Sequence, residues 1–251
     1  MVAELRIIGV SDIPEIPEGA DLVSVIIQGC QSQGTPIEEN DVLVVTQKIV
    51  SKSEGRIVSL ADVTPSVFAR QIAEEHERDP RHVEVVLQES RRVVRMDRGV
   101  FITETHHGFI CANAGVDASN VGGVDLLSLL PIDSDASAQG IRNGIQDRLG
   151  LNVAVIISDT FNRPWRMGTI DVAIGLSGIN PLQDYRGVVD PDGYELRSTI
   201  TSLADELASA AEVVMGKTSQ IPVAIIRGLT YEQNNDSVGN LLRDPSQDLF
   251  R

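Results

Sequence analysis

The sequence predicts an α+β protein with mixed or antiparallel sheets and flanking helices, with two interlocked lobes as a further option. Strand-like apolar runs and amphipathic helix-like segments follow one another without a steady strand–helix–strand alternation, which argues against a doubly wound parallel sheet. The 251 residues suffice for a sizeable core. No internal repeat or linker divides the chain, so we expect one unit over residues 1–229 and a loosely held polar tail over residues 230–251.

Strand and helix signals alternate irregularly along the first half of the chain. Short apolar runs predict strands, whereas helical spacing of apolar residues and a proline after a capping residue predict helices. In chain order, the predicted elements are a strand over 5–10, a short helix from Leu22 that ends at Gly29, a buried strand that turns polar at Thr46, a helix opened by Thr64-Pro65, a helix from Asp79 to Glu89, and a hairpin that turns at His106-His107-Gly108.

The second half carries two clear amphipathic helices, each closed by a glycine, which is the preferred residue after a helix end. Each helix precedes a run of aliphatic residues that predicts a buried strand. The elements are a helix with Ala138, Ile141, Ile145 and Leu149 closed by Gly150, a strand over 153–157, a helix with Leu203, Leu207, Ala211 and Val214 closed by Gly216, and a strand over 221–228.

The composition limits the class of partner and the compartment. A formal net charge of -15 repels nucleic acid and anionic membranes, so we expect neither as a partner. The apolar runs are too short for a membrane helix, and the start lacks signal-peptide features. The 2 cysteines are too few for a disulfide framework, so we expect a reducing, cytoplasmic location. The acidic surface further predicts a halophilic protein, whose charge is screened by salt.

Lysine is rare in this chain, and the three lysines, Lys48, Lys52 and Lys217, follow or precede predicted strands. We therefore expect the lysines at the ends of elements rather than on helix surfaces. At such ends they would contact anions; a simple bias of composition is the alternative. The "GKT" at Lys217 is not a P-loop, because the first glycine position holds Ala211 and the order is helix, loop, strand.

Two aspartates, Asp117 and Asp159, each lie just beyond an apolar strand. Ligands gather where strands end and loops converge. Two carboxylates beside the Thr160 hydroxyl form a suitable set for Mg²⁺ or Mn²⁺, since Mg²⁺ is usually held by one or two carboxylates together with phosphate oxygens and water. Two unrelated turn aspartates are the alternative.

Arg163, Trp165 and Arg166 form a compact group directly after this apolar strand. Two arginines can bracket a carboxylate or phosphate, and a tryptophan offers a flat face to a ring system. We therefore expect them to bind substrate, although a solvated arginine pair beside a partly buried tryptophan would give the same pattern.

Five motifs in order resemble the coenzyme F420-0:γ-glutamyl ligase family: "VLVVTQKIVSKSEGR", "GFICANAGVDASNV", "VIISDTFNRPWRMG", "DVAIGLSGI" and "VMGKTSQIPVAIIRG". The similarity extends from about Ile7 to Leu229. It implies GTP-dependent addition of L-glutamate to F420-0, giving F420-1 and then γ-linked F420-2 through an acyl phosphate. It also implies a homodimer and two ions of Mg²⁺ or Mn²⁺, with K⁺ as a further candidate. The acidic composition suggests a haloarchaeal member.

The resemblance also assigns roles to individual residues. As catalytic residues it implies Asp117, Asp159 and Lys52, and as metal ligands Asp117, Asp159, Thr160 and Gln220. As nucleotide contacts it implies Ile13, Pro14, Glu15, Ile16, Gln47, Lys48, Lys52, Asn120, Met215, Gly216, Lys217, Thr218, Ser219, Gln220 and Ile221. Lys217 stands where some members have an acidic metal ligand, so either Gln220 replaces that ligand or the second metal is held differently.

Two other functions stay open on the sequence. A metal-dependent phosphohydrolase would use the same two aspartates with water as the nucleophile. A non-catalytic protein would bind the nucleotide without turning it over.

Overall fold

The computed structural model describes residues 4–234 and 236–248. In chain order, the elements are β1 (Arg6–Val10), α1 (Leu22–Ser32), β2 (Val42–Thr46), α2 (Gln47–Ser53), β3 (Ile57–Ser59), α3 (Val67–His76), α4 (Pro80–Gln88), β4 (Ser90–Asp97), β5 (Val100–Thr105), β6 (Ile110–Ala112), β7 (Leu126–Ser128), α5 (Ser134–Leu149), β8 (Ala154–Asn162), β9 (Thr169–Ser177), β10 (Gln183–Asp184), β11 (Ile200–Thr201), α6 (Leu203–Met215) and β12 (Val223–Arg227). The α+β class is confirmed.

The main layer is a five-stranded mixed sheet in the order β1-β12-β2-β8-β9. Neighbouring strands are antiparallel except β2 and β8, which run parallel. In the parallel pair, Val42 lies opposite Ala154 and Thr46 lies opposite Ser158. The carboxyl ends of the parallel segments therefore lie side by side at one end of the sheet.

Helices cover both faces of this sheet. The neighbouring residues Gly9 and Val10 point to opposite faces of β1, because side chains alternate along a strand. A Cβ at Gly9 would contact the loop and helix around α6, whereas Val10 lies against Gly29 of α1. Helix α5 joins α1, since Gly144 packs against Val23. The middle strands are consequently buried on both sides, and β2 is apolar throughout until Thr46.

A second, smaller core is formed by the chain between α2 and α5. It combines α3 and α4 with the three-stranded sheet β4-β5-β6 and the two-stranded pair β3-β7. Its buried residues include Ile72 of α3, Val83 of α4 and Phe101 of β5. The hairpin between β5 and β6 turns at 106–108, as the sequence predicts.

Several predicted boundaries were right and others were wrong. Helices α4, α5 and α6 and strand β12 are confirmed. Helix α1 does not end at Gly29 but continues to Ser32. The glycine has a packing role instead: without a side chain, it allows the helix to approach Ile13 and Val10 closely. Helix α3 is capped by Ser66 rather than Thr64, with the Ser66 hydroxyl accepting a hydrogen bond from the amide of Ala69 at 3.1 Å.

Two further corrections concern the chain that follows the parallel strands. Strand β8 does not stop at residue 157 but continues through Asn162, paired with β9. The polar segment after Thr46, to which the sequence assigned no element, forms α2, so Lys48 and Lys52 lie on a short helix. Strand β9 itself was not predicted.

The polar segment after residue 229 is attached to the body at Asp135, in the first turn of α5. Its carboxylate accepts hydrogen bonds from the hydroxyl of Ser237 at 2.7 Å and from the amide of Val238 at 3.1 Å. The Val238 side chain is buried in the main core. Around Val238 the tail is therefore not loosely held; a domain boundary near residue 229 stays a prediction.

Within residues 4–234 and 236–248, each helix is too short or too polar to cross a membrane.

The contact between β9 and α5 has no room for a side chain at Gly175. A Cβ there would lie 2.5 Å from backbone atoms of Ser134. We expect Gly175→Ala to lower the free energy of unfolding by about 1–3 kcal/mol, because overpacking forces the backbone to move. Chemical denaturation measures this. The control is Gly140→Ala in α5, where a Cβ would contact nothing within 4 Å; it should stabilise the helix by about 0.5–1 kcal/mol. Equal stability of Gly175→Ala and the wild type would contradict the assigned packing.

Candidate functional site

A cleft of about 1200 Å³ opens at one end of the central sheet. The carboxyl ends of β1, β2 and β8 and the amino ends of β9 and β12 all meet at this end, as their pairing registers require. The loop between α6 and β12 and the segment that contains Asp117 complete the walls. The cleft therefore collects residues from six separate parts of the chain.

Most of the predicted site residues line this cleft. They are Ile13, Pro14, Glu15, Ile16, Gln47, Lys48, Lys52, Asp117, Asn120, Asp159, Thr160, Met215, Gly216, Lys217, Thr218, Gln220 and Ile221. Ser219 is not part of the lining, and neither are Arg163, Trp165 and Arg166. Their placement together supports a common site; the role of each residue stays a prediction.

All three lysines of the chain lie in this one cleft. Lys48 and Lys52 are four residues apart on α2, so they project from the same side of the helix. Lys217 reaches the cleft from the loop after α6. Lys48 and Lys52 do lie on a helix, which was not expected, but they are near the two ends of this seven-residue helix, as the expectation of element ends requires. They line the cleft because α2 begins where β2 ends.

Lys48 is paired with Asp117. Its ammonium donates to Asp117 Oδ2 at 2.6 Å and to the backbone carbonyl of Ser119 at 2.6 Å. Burial alone would raise the pKa of Asp117, but the hydrogen bonds from Lys48 and Ser119 outweigh burial, so the pKa lies below its usual value. Asp117 is thus ionised and neutralised. Lys52 likewise contacts Glu15.

Asp159 has a different environment. Burial raises the pKa of its carboxyl to about 7, and repulsion from Asp171 and Asp117 adds to this effect. The hydrogen bond with the backbone at Thr160 and the charge of Lys48 oppose the shift without cancelling it. Asp159 is therefore the aspartate of this cleft whose negative charge is least compensated by protein cations.

Thr160, Asp171 and Lys217 form a connected polar group. The Lys217 ammonium donates to Thr160 Oγ1 at 2.7 Å and to Asp171 Oδ1 at 2.8 Å. The Thr160 hydroxyl in turn donates to Asp171 Oδ1 at 2.7 Å. Only 3% of Asp171 is exposed. The Thr160 hydroxyl is thus already engaged by protein groups on both its donor and acceptor sides.

Asp159 and the group of Thr160, Asp171 and Lys217 lie on opposite faces of β8. Ser158 and Thr160 point to one face, where they meet Asp171. Asp159 and Phe161 point to the other face because side chains alternate, and there the Phe161 ring packs edge-on against Phe109 of the neighbouring hairpin. One polar strand end therefore supplies two separate positions for positive charge.

Asp171 was not among the predicted site residues. The sequence offers one signal: "DVAIGLSGI" opens an apolar run on an acid, as "VIISDTF" closes one. The pairing of β8 with β9 places Thr160 opposite Asp171, which brings the acid into the site. Because that pairing is a long-range feature, it was not visible from local spacing.

Arg163, Trp165 and Arg166 lie in the loop that joins β8 to β9, just beyond the cleft wall. Arg163 donates to the backbone carbonyl of Met167 at 2.7 Å, within its own loop. Trp165 is 81% exposed. Since Thr160 and Thr169 at the base of this hairpin line the cleft, the loop borders the site without forming its wall. Its contact with substrate stays a prediction.

Comparison with a known protein family identifies the family of the chain that forms this cleft. Residues 11–228 match the family model for F420-0:Gamma-glutamyl ligase, and this span contains every residue that lines the cleft. The chain belongs to the F420-0:gamma-glutamyl ligase family.

Relatives in this family are similar over nearly their whole length. A protein of Methanothermobacter thermautotrophicus named coenzyme F420:L-glutamate ligase is 41% identical over 250 residues, which covers 98% of this chain and 99% of the relative. Relatives of the same name from Methanopyrus kandleri and Methanocaldococcus jannaschii are both 42% identical. They are matched over 94% and 86% of each chain, respectively.

The pKa values of Asp159 and Asp117 predict opposite effects on stability in this family member. Asp159 stabilises the fold only while protonated, so its contribution is complete below pH 4 and is lost as the pH rises through about 7. In metal-free protein, Asp159→Asn should therefore become more stable than the wild type between pH 5 and 8, by at most about 4 kcal/mol. Thermal melts in a chelator measure the difference.

The matched variant for this test is Asp117→Asn. The pKa of Asp117 is lowered in the folded state. Its stabilising contribution is therefore present at pH values above the pKa that Asp117 has in the unfolded chain, and it is lost only in acid. Asp117→Asn should be less stable than the wild type by about 1–3 kcal/mol throughout pH 5–8. A loss of stability in both variants at pH 8 would show that Asp159 is ionised and neutralised like Asp117.

Proposed function

We propose that this protein is a GTP-dependent ligase that joins L-glutamate to coenzyme F420-0, giving F420-1 and then the γ-linked F420-2. The main support is the end-to-end similarity to relatives named coenzyme F420:L-glutamate ligase. The cleft adds independent support, because an acidic chain with three lysines gathers all three at one site. A polyanionic nucleotide is the ligand class that such a site favours.

The chemistry of amide formation requires an activated acid. A carboxylate and an amine do not condense in water, so we propose that a carboxylate oxygen of F420-0 attacks the γ-phosphorus of GTP and releases GDP. The amine of glutamate then attacks the acyl carbon, loses a proton and displaces phosphate. Phosphoryl transfer depends mainly on positioning and on neutralising charge.

The contacts of Lys48 and Lys52 support a role for them in neutralising this charge. Both ammonium groups face the cleft, and both are held by carboxylates, Asp117 for Lys48 and Glu15 for Lys52. These ion pairs fix the positions of the positive charges before a nucleotide arrives. A preorganised charge stabilises a transition state without reorganisation during the reaction.

The residues around Asp159 fit one divalent ion. Asp159 and Asp117 offer hard oxygen ligands, and burial, with repulsion from Asp171 and Asp117, raises the pKa of Asp159, so a cation beside it would be favourable. In residues 4–234 and 236–248, no group of three His, Cys, Asp or Glu side chains is arranged to hold a metal. An ion held by two carboxylates therefore needs phosphate oxygens and water to complete its shell, as Mg²⁺ usually does. A bound Mg²⁺ or Mn²⁺ would neutralise phosphate charge; K⁺ remains a further candidate.

The reaction can be tested directly by mass spectrometry. Incubation with F420-0, L-glutamate, GTP and Mn²⁺, in high salt because of the acidic composition, should add glutamyl units to F420-0. The product should require GTP, and Asp159→Asn should reduce its rate at least about 100-fold if Asp159 holds the metal. Circular dichroism shows whether the variant is folded.

Two outcomes of this assay would contradict the proposal. GTP hydrolysis without a glutamyl product would favour the phosphohydrolase. GTP binding without either reaction, in folded wild type, would leave only a nucleotide-binding protein.

We also propose a homodimer that forms through the hairpin over residues 183–201, here called the arm. Strands β10 and β11 pair at its base, and it turns at residues 190–193. Its large apolar side chains are exposed, including Val188 at 47%, Val189 at 60% and Tyr194 at 60%. A group of exposed apolar residues on one element is typical of a protein–protein contact.

The arm yields a prediction for the oligomeric state. Val189→Glu should convert the dimer to a monomer, because an unpaired charge would be buried in the interface. Light scattering coupled to gel filtration measures the mass. Val213→Glu on α6, also highly exposed, is the matched control and should remain dimeric. A monomeric wild type at micromolar concentration would contradict the proposal.

A further inference from the structure

We propose that the ammonium of Lys217 is a built-in cation of the cleft. It fills a position that would otherwise take a free metal ion, so the site holds one divalent ion per chain instead of two. The inference rests on the proposed function for the identity of the nucleotide and for the divalent ion at Asp159. The fixed cation itself is argued from the contacts of Lys217.

The Lys217 ammonium has an oxygen environment like that of a bound cation. It donates hydrogen bonds to Thr160 Oγ1 at 2.7 Å and to Asp171 Oδ1 at 2.8 Å, and it forms an ion pair with Glu212 Oε1 at 3.4 Å. An ammonium has only donors and no acceptor, so oxygen atoms are the partners it requires. Two of the partners are carboxylates, those of Asp171 and Glu212, so the ammonium lies between two negative charges.

The position requires a positive charge. Asp171 is almost fully buried, at 3% exposure, and it is fixed by the hydroxyl of Thr160 at 2.7 Å. An isolated buried carboxylate is costly unless a cation or several hydrogen bonds compensate it. Among the described residues, Lys217 is the partner that forms an ion pair with Asp171.

The loop that carries Lys217 is shaped to bring it back over β9. Helix α6 ends at Met215, and Gly216 then turns the chain with a positive φ of 57°. A Cβ at Gly216 would lie 2.9 Å from Ser219 Oγ, so the turn is tight as well as left-handed. The Lys217 side chain still remains 52% exposed. Removing it would therefore open the Asp171 carboxylate to ions from the cleft.

The free divalent ion belongs on the opposite face of β8. Asp159 points away from Thr160 along the strand, and it lines the same cleft as Asp117. The fixed ammonium and the exchangeable ion are thus separated by the strand itself. This separation explains how one chain can hold both charges in one cleft.

The number of bound Mn²⁺ ions tests the inference without measuring activity. The full chain is titrated with Mn²⁺ by calorimetry in the presence of a non-hydrolysable GTP analogue, with a blank titration of the analogue alone. We expect one Mn²⁺ per chain for the wild type and two for Lys217→Ala. Lys217→Arg retains the charge and should bind one. The double variant Lys217→Ala/Asp171→Asn should lose the added site and return to one.

The wild type alone already tests the proposal, even where a variant fails to fold. Two Mn²⁺ per chain in the wild type would overturn the fixed-cation inference and leave the ligase intact. A single Mn²⁺ in folded Lys217→Ala would also overturn the inference. No Mn²⁺ bound to the wild type would contradict the metal site of the proposed function, and the inference would fall with it.

Discussion

The parallel pairing of β2 with β8 is the constraint on which the rest of the site depends. The other neighbouring strands in the sheet are antiparallel. At either end of the sheet, each such pair therefore presents the carboxyl end of one strand and the amino end of the other. The parallel pair instead ends with Thr46 beside Ser158, and the next residues of both strands enter the same space. A parallel connection needs a long crossover. Here the chain between the two strands also builds the second core and supplies Asp117.

The cleft concentrates charge in a way that the surface does not. At a net charge of -15, long-range repulsion acts on the whole molecule, and salt screens it over distances of about 10 Å or more. Contact pairs are screened much less. The pair Lys48–Asp117, at 2.6 Å, and the pair Lys217–Asp171, at 2.8 Å, are of this short-range kind. They therefore keep the cleft organised at a salt concentration that weakens ordinary surface electrostatics.

Sequence patterns predicted those parts of the structure that are determined locally. Glycine after an amphipathic run located the ends of α5 and α6, and aliphatic runs located β2 and β12. Local patterns failed where tertiary contacts decide: Gly29 serves close packing instead of ending α1. The polar half of β8 is a strand only because β9 pairs with it. Asp171 depends on the same pairing. The resemblance supplied the list of site residues, whereas the strand register supplies their arrangement.

A fixed cation and an exchangeable ion differ in more than number. An ammonium tethered to the chain cannot be removed by a chelator, and its position does not depend on the metal concentration. It can therefore hold Thr160 and Asp171 in place in the absence of nucleotide. The ion proposed at Asp159 would, by contrast, need phosphate oxygens to complete its shell, so its binding would be coupled to that of the nucleotide. Asp159 would then be neutralised only when nucleotide and ion are both bound. Under this proposal, one strand end supports a permanent charge on one face and a ligand-dependent charge on the other.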